Sequence, residues 1–329
     1  MDKFLSLDQL DSAFKKKLIT EFLAYGRITT TGGLLTIKQI ASRKRYSFVP
    51  SVLSGLLELS NYLAIIKAAK IQPIREFFVK TGSHWMSGVV EIDKAGQAKL
   101  LLLDSLSKIE IIKFYSKVFK DIFPEGKIYY TDETRQYDSS SCAVFALSDV
   151  RYLHVVNRYI GDQDLFSYLE AHKIVVPSKE IKDPSQQSET TFYRLPLGFN
   201  RIMQSISLTD KVLLQRDPKE LALPINQKLQ TAPYCARQDF KMINGKLQNK
   251  RAHYLLKKFF LRNFNYLNTH TDTEIQKDLQ SFTLEAFKTR IQQVSFSKNI
   301  HILINSTSST LSSNLSNSSS STQKFYSSC

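Results

Sequence analysis

Apolar residues recur at helical spacing over 8–25, where Leu10, Phe14, Leu18, Phe22 and Leu23 share one face, and this predicts an amphipathic helix. A second, largely buried helix is expected over 51–69, beginning after Pro50. Short apolar runs at 85–93 and 98–104 then read as consecutive strands, joined through Lys94-Ala95-Gly96-Gln97, where glycine supplies the turn. The period returns to helical over 107–122, with Ile109, Ile112, Val118, Phe119 and Ile122 as the apolar set. Pro124-Glu125-Gly126 ends that helix, and Lys127-Ile128-Tyr129-Tyr130 reads as a third strand.

Three serines, Ser139 to Ser141, precede Cys142, and serine favours N-cap positions. The spacing of Val144, Phe145, Ala146, Val150 and Leu153 fits a buried helix running to about Tyr159, with Cys142 at or near its N-terminus. After 177 the chain turns polar, punctuated by Pro177 and Pro184, which predicts a loop or hinge. Helical patterns resume over 197–215, 245–264 and 271–292. From Ser306 to Ser328, twelve of 23 residues are serine, a composition that cannot bury a core, so a disordered tail is expected. The pattern as a whole predicts an α/β (α+β) chain of 329 residues. A mixed sheet from 85–104 and 127–130 packs on the Cys142 helix, and a mainly helical part follows.

Charge changes the picture of that second half. The chain carries a net +15, and residues 201–300 hold 17 Lys/Arg against 8 Asp/Glu. Within 237–262, eight basic residues face only Asp239, a cluster that attracts a polyanion. Arg201, Lys246, Lys250 and Arg251 are the candidate anion-binding residues; a solvated basic face is the plainer reading. Three cysteines, Cys142, Cys235 and Cys329, are too few and too scattered for a disulfide framework or a zinc site, so a reduced compartment and no metal are expected. The first residues lack the apolar core of a secretory leader, and no run has the length of a membrane span. No nucleic-acid role is expected.

Four residues carry candidate chemistry. His84 lies in Gly82-Ser83-His84-Trp85, Asp104 ends the run Leu100 to Leu103, and Gln136 precedes Cys142 by six residues. Thiol-based acyl transfer needs a nucleophile, a base, a group that orients the base and an oxyanion donor, and Cys142, His84, Asp104 and Gln136 suit those jobs in that order. A strand-edge histidine, a helix-capping aspartate, a loop glutamine and an inert buried cysteine are the ordinary fates of such residues taken singly. Glu91 and Asp93 are rival acids, expected on a solvent-facing edge.

The order His, acid, Gln, Cys, with His84-Trp85, Leu103-Asp104-Ser105-Leu106 and Gln136 six residues before Cys142, resembles the clan of cysteine enzymes that holds the ubiquitin-like-protein proteases and the YopJ family of bacterial effector acetyltransferases. Ser141-Cys142-Ala143-Val144-Phe145-Ala146-Leu147 is similar to the YopJ family's Asp-Cys-x-x-Phe-(Ala/Ser)-Leu. Leu195-Pro196 through Phe199 to Gln204-Ser205 is similar to its Leu-Pro…Phe-x-Lys-His-x-Gln-Ser segment, and Asn244-Gly245-Lys246 through Lys250-Arg251 to part of its basic C-terminal half. Ser141 and Ala143 stand where that family often has Asp and Gly, Arg201-Ile202 where it has Lys-His, and Asp104 where its best-known members have Glu.

The resemblance, which covers roughly 75–260, implies a papain-like fold; with the pattern of the flanks it gives a helical segment 1–75, a catalytic core 76–176, a basic regulatory lobe 177–303 and the tail 304–329. It implies transfer of acetyl from acetyl-CoA through a Cys142 thioester to Ser, Thr or Lys of a host signalling protein. Inositol hexakisphosphate is the implied activator. The implied route runs from the bacterial cytoplasm, without a classical signal peptide, to the host cytoplasm. A ubiquitin-like-protein protease would use the same four residues on a peptide or isopeptide carbonyl. A degenerate domain that binds a polyanion or host protein without catalysis is the third reading.

Overall fold

The computed structural model describes residues 7–24, 28–41, 49–69, 75–82, 84–138, 140–176, 190–230, 240–243, 246–249 and 251–293. The expected hinge beginning at 177, Ser139, Lys250 and the serine-rich tail therefore lie outside the described residues. The chain divides into two compact units, 1–284 and 285–329. The second is described only over 285–293, which is helical.

The first unit is a mixed α/β structure. Its five-stranded sheet runs β1 (Ser51–Ser54), β2 (Arg75–Thr81), β3 (His84–Ile92), β4 (Ala98–Leu103), β5 (Lys127–Tyr129) in spatial as in chain order. The outer pairs, β1 with β2 and β4 with β5, are parallel, and the inner pairs are antiparallel. Both faces of the sheet are covered, which explains why Trp85 through Val90 and Leu100 through Leu103 are continuously buried rather than alternating. On one face lie helices α3 (Gly55–Ala69) and α4 (Ile109–Ile122); Tyr62 of α3 meets Phe77 of β2 with ring centroids 5.8 Å apart. On the other face α5 (Cys142–Leu153) packs along β3, and its residues Cys142 through Val150 are all buried.

The expected mixed sheet from 85–104 and 127–130 is present, and it is larger than the pattern predicts. Residues 51–54 form a strand rather than the first turn of a helix, because Val52 N–H donates to Phe282 O while the strand pairs with β2. The helix expected over 8–25 is a 3-10 turn, Leu7–Gln9, followed by α1 (Ala13–Ala24), whose start is set by Ser12 accepting from Lys15 N. The helix from Cys142 ends at Leu153, and a separate turn, α6 (Asn157–Ile160), follows.

A helix that the pattern misses, α2 (Thr30–Ala41), bears on the site. A Cβ on Gly32 would sit 2.6 Å from the Phe22 ring and one on Gly33 2.6 Å from the Trp85 ring. Here glycine serves close approach, at a cost of about 1 kcal/mol in helix propensity. Trp85 Nε1 donates to Ile28 O at 3.2 Å, so the residue beside His84 is locked under this helix.

The second half holds α7 (Leu165–Ala171), the strand pair β6 (Lys173–Val176) and β7 (Thr190–Tyr193), a 3-10 turn (Leu197–Ile202), and α8 (Ile206–Leu214), α9 (Pro218–Ala222) and α10 (Pro224–Gln230). A helix expected to start at 245 is instead the antiparallel pair β8 (Phe240–Ile243) and β9 (Lys246–Asn249), then α11 (Arg251–Thr269). Asn244-Gly245 between those strands is the strongest short hairpin signal a sequence carries. The helix expected over 271–292 breaks at 281–283, after α12 (Asp272–Gln280), which opens with a capping box between Thr271 and Glu274. Helices α1 and α2 close against α11 and α12 through Leu18, Ile19, Leu35, Phe264 and Leu267, and Asn263 Nδ2 donates to Thr36 Oγ1 at 3.0 Å. No helix among the described residues is long and apolar enough to cross a membrane.

A Gly33→Leu substitution is expected to overpack the contact with Trp85 and destabilise the fold by about 1–3 kcal/mol. Because Trp85 is the chain's single tryptophan, its emission should shift to the red in the same variant. An unchanged emission maximum and melting temperature would contradict this account of α2.

Candidate active site

The four candidate residues arrive from four different places. His84 is the first residue of β3, reached through Gly82, which sits in the left-handed region at φ +60°. Asp104 follows β4 directly, and since Ser87 pairs with Leu103, the chain leaving β4 passes the start of β3. Cys142 is the first residue of α5, and Gln136 lies in the segment leading to it.

His84 and Asp104 come together, with Nε2 2.9 Å from Oδ1. Asp104 is fully buried and its carboxylate is itself fixed: Oδ1 also accepts from Leu106 N and Oδ2 from Lys108 N, both at 3.0 Å. These bonds span Ser107, which is held at φ +50°, so the acid that orients the histidine also shapes the turn into α4. Burial works against the Asp104 charge, but His84 and the two backbone N–H groups hold its carboxyl below the usual range. Glu91 and Asp93 lie at the far end of β3; Asp93 accepts from Ala95 N and Gln97 N in the strand turn.

His84 also hydrogen-bonds Cys142. With Nε2 turned to the carboxylate, Nδ1 is the ring nitrogen that remains for the sulfur. Burial would depress the imidazole, yet its bonds to Asp104 and Cys142 and their charge raise it to about 9. At neutral pH the ring therefore carries its proton next to the sulfur. Cys142 is only 5% exposed and packs with Trp85, Ile28 and Phe22. The first N–H groups of a helix have no intrahelical partner, so an anion forming beside Cys142 meets donors and the positive end of the α5 dipole.

The segment that joins these parts is heavily bonded. Arg135 N and Gln136 N donate to Ser105 O, at 2.9 and 3.0 Å, and Ser105 Oγ donates to Gln136 Oε1 at 2.6 Å. That last bond fixes which way round the Gln136 amide sits, with Nε2 donating to Asp138 O at 2.7 Å. Serine does not cap α5 as expected: Ser141 makes no side-chain cap bond, and its Oγ donates to Asp138 Oδ2 at 2.6 Å. Asp138 instead holds the turn ahead of the helix: its Oδ1 accepts from Ser140 N and Ser141 N at 2.9 and 2.7 Å. Burial opposes its charge, but Ser141, Ser140 and Gln204 hold its carboxyl below the usual range. Neither Asp138 nor Gln204 carried a role in the sequence reading, although Gln204 lies in a segment it singled out.

Of the basic candidates, Arg201 and Arg251 come together. Burial pushes the Tyr152 hydroxyl up to about 12, and the charges of Arg201, Arg251 and Arg151 act against that rise. Arg201 also hydrogen-bonds Tyr159, towards which Arg158 and Arg151 add further charge. Arg151 and Arg158, from α5 and α6, were missed because they lie outside the basic run that marks the sequence. The Lys246 backbone is part of β9; its side chain, like all of Lys250, lies outside the described residues. No group of His, Cys, Asp and Glu suited to a metal ion occurs among the described residues.

A thiol at a helix N-terminus, a histidine and a buried acid are the parts that a cysteine acyl-transfer site needs. The family model for the YopJ serine/threonine acetyltransferases matches residues 41–257, and the chain belongs to that family. Among solved structures, a deletion form of AvrA with IP6 and CoA is 15% identical, with a TM-score of 0.53, covering 81% of this chain and 100% of that one. HopZ1a in complex with IP6 is 9% identical with a TM-score of 0.50, covering 79% and 96% of the two chains; its complex with IP6 and CoA is 10% identical at the same score, covering 79% and 97%. At these identities the likeness is one of fold. No curated protein sequence matches the chain at a comparable level.

His84 is raised from 6.5 to about 9, so the stability it contributes is complete below pH 6.5 and is lost as pH rises through 9. Between those limits wild type should lose up to about 3 kcal/mol that a His84→Gln variant does not lose. Denaturant titrations at half-unit steps of pH measure the difference, and a pH-independent gap between the two proteins would contradict the assignment.

Proposed function

We propose that this chain is an effector acetyltransferase that moves an acetyl group from acetyl-CoA, through a thioester on Cys142, to a Ser, Thr or Lys of a host signalling protein. The observation that carries the reading is the hydrogen-bonded series Asp104, His84, Cys142 at the start of α5, in a chain of the YopJ family. With the thiol proton held on His84, the Cys142 thiolate attacks the thioester carbonyl carbon, and the carbonyl oxygen becomes an oxyanion. Backbone N–H groups at the α5 N-terminus receive it, and Gln136 Nε2 joins them by releasing its longer bond, 3.3 Å, to Asp138 Oδ1. The intermediate collapses by expelling the CoA thiolate, which takes the proton held on His84. In the second half, the acceptor hydroxyl or amine attacks the acetyl-cysteine and gives its proton to His84, and Cys142 leaves as thiolate. Asp104 keeps the imidazole oriented through both halves.

A polyphosphate such as inositol hexakisphosphate is the proposed activator. Arg151, Arg201 and Arg251 reach one point around Tyr152 from α5, the 3-10 turn and α11, and that convergence of like charge suits a dense anion. Bound there, the anion supplies counter-charge that draws the two halves of the first unit together. In this reading the protein acts in the host cytoplasm after leaving the bacterium.

Incubation with radiolabelled acetyl-CoA, with and without inositol hexakisphosphate, tests the function. Label should enter the wild-type chain and a protein acceptor, and Cys142→Ala should lose all transfer while keeping its melting temperature. Full transfer in the alanine variant would overturn the nucleophile.

Calorimetry tests the anion. Saturable binding at physiological salt with a raised melting temperature is expected, and an Arg201→Ala, Arg251→Ala double variant should weaken it tenfold or more, about 1.4 kcal/mol. Weak, salt-quenched binding of any polyanion would leave only a charged surface.

A further inference from the structure

Gln204 is 4% exposed, and among the described residues its hydrogen bonds reach one short segment. Its backbone N–H donates to Arg135 O at 2.9 Å, and its Oε1 accepts from Tyr137 N at 2.5 Å and Asp138 N at 3.1 Å. Its Nε2 donates to Asp138 Oδ2 at 2.6 Å. Asp138 O in turn accepts the Gln136 amide, and Asp138 Oδ1 holds the two N–H groups just ahead of Cys142. Gln204 is itself fixed from behind. It sits between the 3-10 turn, closed by Met203 N donating to Asn200 O at 3.1 Å, and Ser205, which accepts from Leu208 N at 3.3 Å to start α8.

We propose that Gln204 is a positioning residue for the oxyanion donors, acting through Asp138. This rests on the acyl-transfer reading above and goes beyond it. An oxyanion is well stabilised only if its donors already stand where the charge develops. The Gln136 amide and the first N–H groups of α5 belong to different ends of a six-residue segment, and their relative placement is set by the Asp138 turn between them. Gln204 grips that turn with an acceptor on its backbone and a donor on its carboxylate. Loss of the grip moves the amide relative to the helix start and leaves His84 and Asp104 in place, because they are held by each other and by the N–H groups of Leu106 and Lys108.

The test uses the full chain and exchanges the donor for an acceptor. Gln204→Glu keeps the shape and the Oε1 acceptor but sets an oxygen against Asp138 Oδ2. Adding Asp138→Asn restores a donor–acceptor pair at that contact, since the Ser141 hydroxyl can turn to accept. Three rates are read beside the melting temperature: alkylation of Cys142 by iodoacetamide, which needs no oxyanion; the acylation burst with p-nitrophenyl acetate, which needs no CoA site; and acetyl transfer from acetyl-CoA. Q204E should slow the burst about tenfold or more. It should lower kcat for acetyl-CoA with KM unchanged, and alkylate within about twofold of wild type. The double variant should recover most of the burst.

A burst in Q204E equal to wild type overturns the proposal. So does a loss of alkylation in parallel with the burst, or a double variant no better than Q204E. A wild-type chain that shows the burst and takes no acetyl from acetyl-CoA overturns the acetyltransferase reading, and the burst still decides the role of Gln204. A wild-type chain acylated by neither donor overturns both.

Discussion

The buried pair between Arg135 and Asp149 is the constraint on which the site depends. Both side chains are removed from solvent, and the contact is bidentate, Nη1 to Oδ1 at 2.6 Å and Nη2 to Oδ2 at 2.8 Å. Nη1 also donates to Phe199 O at 3.1 Å, and the guanidinium lies over the Phe145 ring, 5.6 Å from its centre. Burial opposes its charge, yet Asp149 keeps the guanidinium firmly protonated. Breaking such a pair leaves one charge buried and alone, a loss on the order of 3–5 kcal/mol. One side chain thereby joins three elements: the segment before Gln136, the helix that starts at Cys142, and the turn that precedes Gln204.

That pair explains why α5 has no solvent face along most of its length. Arg135 and Asp149 satisfy each other, and the remaining residues from Cys142 to Val150 are apolar or small and can be enclosed. A nucleophile on a helix buried on all sides cannot shift without disturbing the sheet below and α2 above. A second buried set, Arg216 with Glu133 at 3.0 Å and Tyr168 with Glu220 at 2.7 Å, does the same work farther along, tying 133 to the segment that follows β7. The guanidinium Nη groups and the carboxylates are paired in these networks, while Nε of Arg135 and of Arg216 is buried without a hydrogen bond among the described residues, so the pairs fix geometry more than they add stability.

Much of the site was legible because its chemistry needs unusual residues in unusual places. A cysteine opening an apolar helix, and an aspartate ending a run of four leucines, stand out against their surroundings, and the strand pairing that joins Asp104 to His84 follows from a two-strand hairpin. What stayed hidden is what depends on contact rather than pattern. The helix through Gly32-Gly33 escapes the pattern, and only the fold shows that the Trp85 ring needs the room. The 51–54 strand has no alternation because its partners cover both sides, and a buried strand of four residues looks like the start of the helix it precedes. Arg151 belongs to no charge run, and only the fold brings it to Tyr152 with Arg201 and Arg251. The Asp138 carboxylate is three residues from where the family often has an acidic residue beside its cysteine, and Ser141 reaches back to it at 2.6 Å. The carboxylate was in the sequence, but the turn that delivers it was not.

The layout also accounts for a chain whose site lies early and whose structure continues well past it. The oxyanion segment is held from one side by Ser105, through its carbonyl and hydroxyl, and from the other by Gln204. Ser105 follows the central strands, whereas Gln204 comes only after β6, β7 and the 3-10 turn. The His84–Asp104 pair needs nothing beyond the hairpin, but the donors that face a developing oxyanion need the chain through 205. Arg201 stands in the 3-10 turn and Gln204 follows its C-cap, Met203, so a basic residue near Tyr159 and the residue that holds Asp138 are set by one short stretch of chain. Arg201 and Gln204 lie three positions apart in the chain, so the turn that presents the arginine also sets where the glutamine meets Asp138.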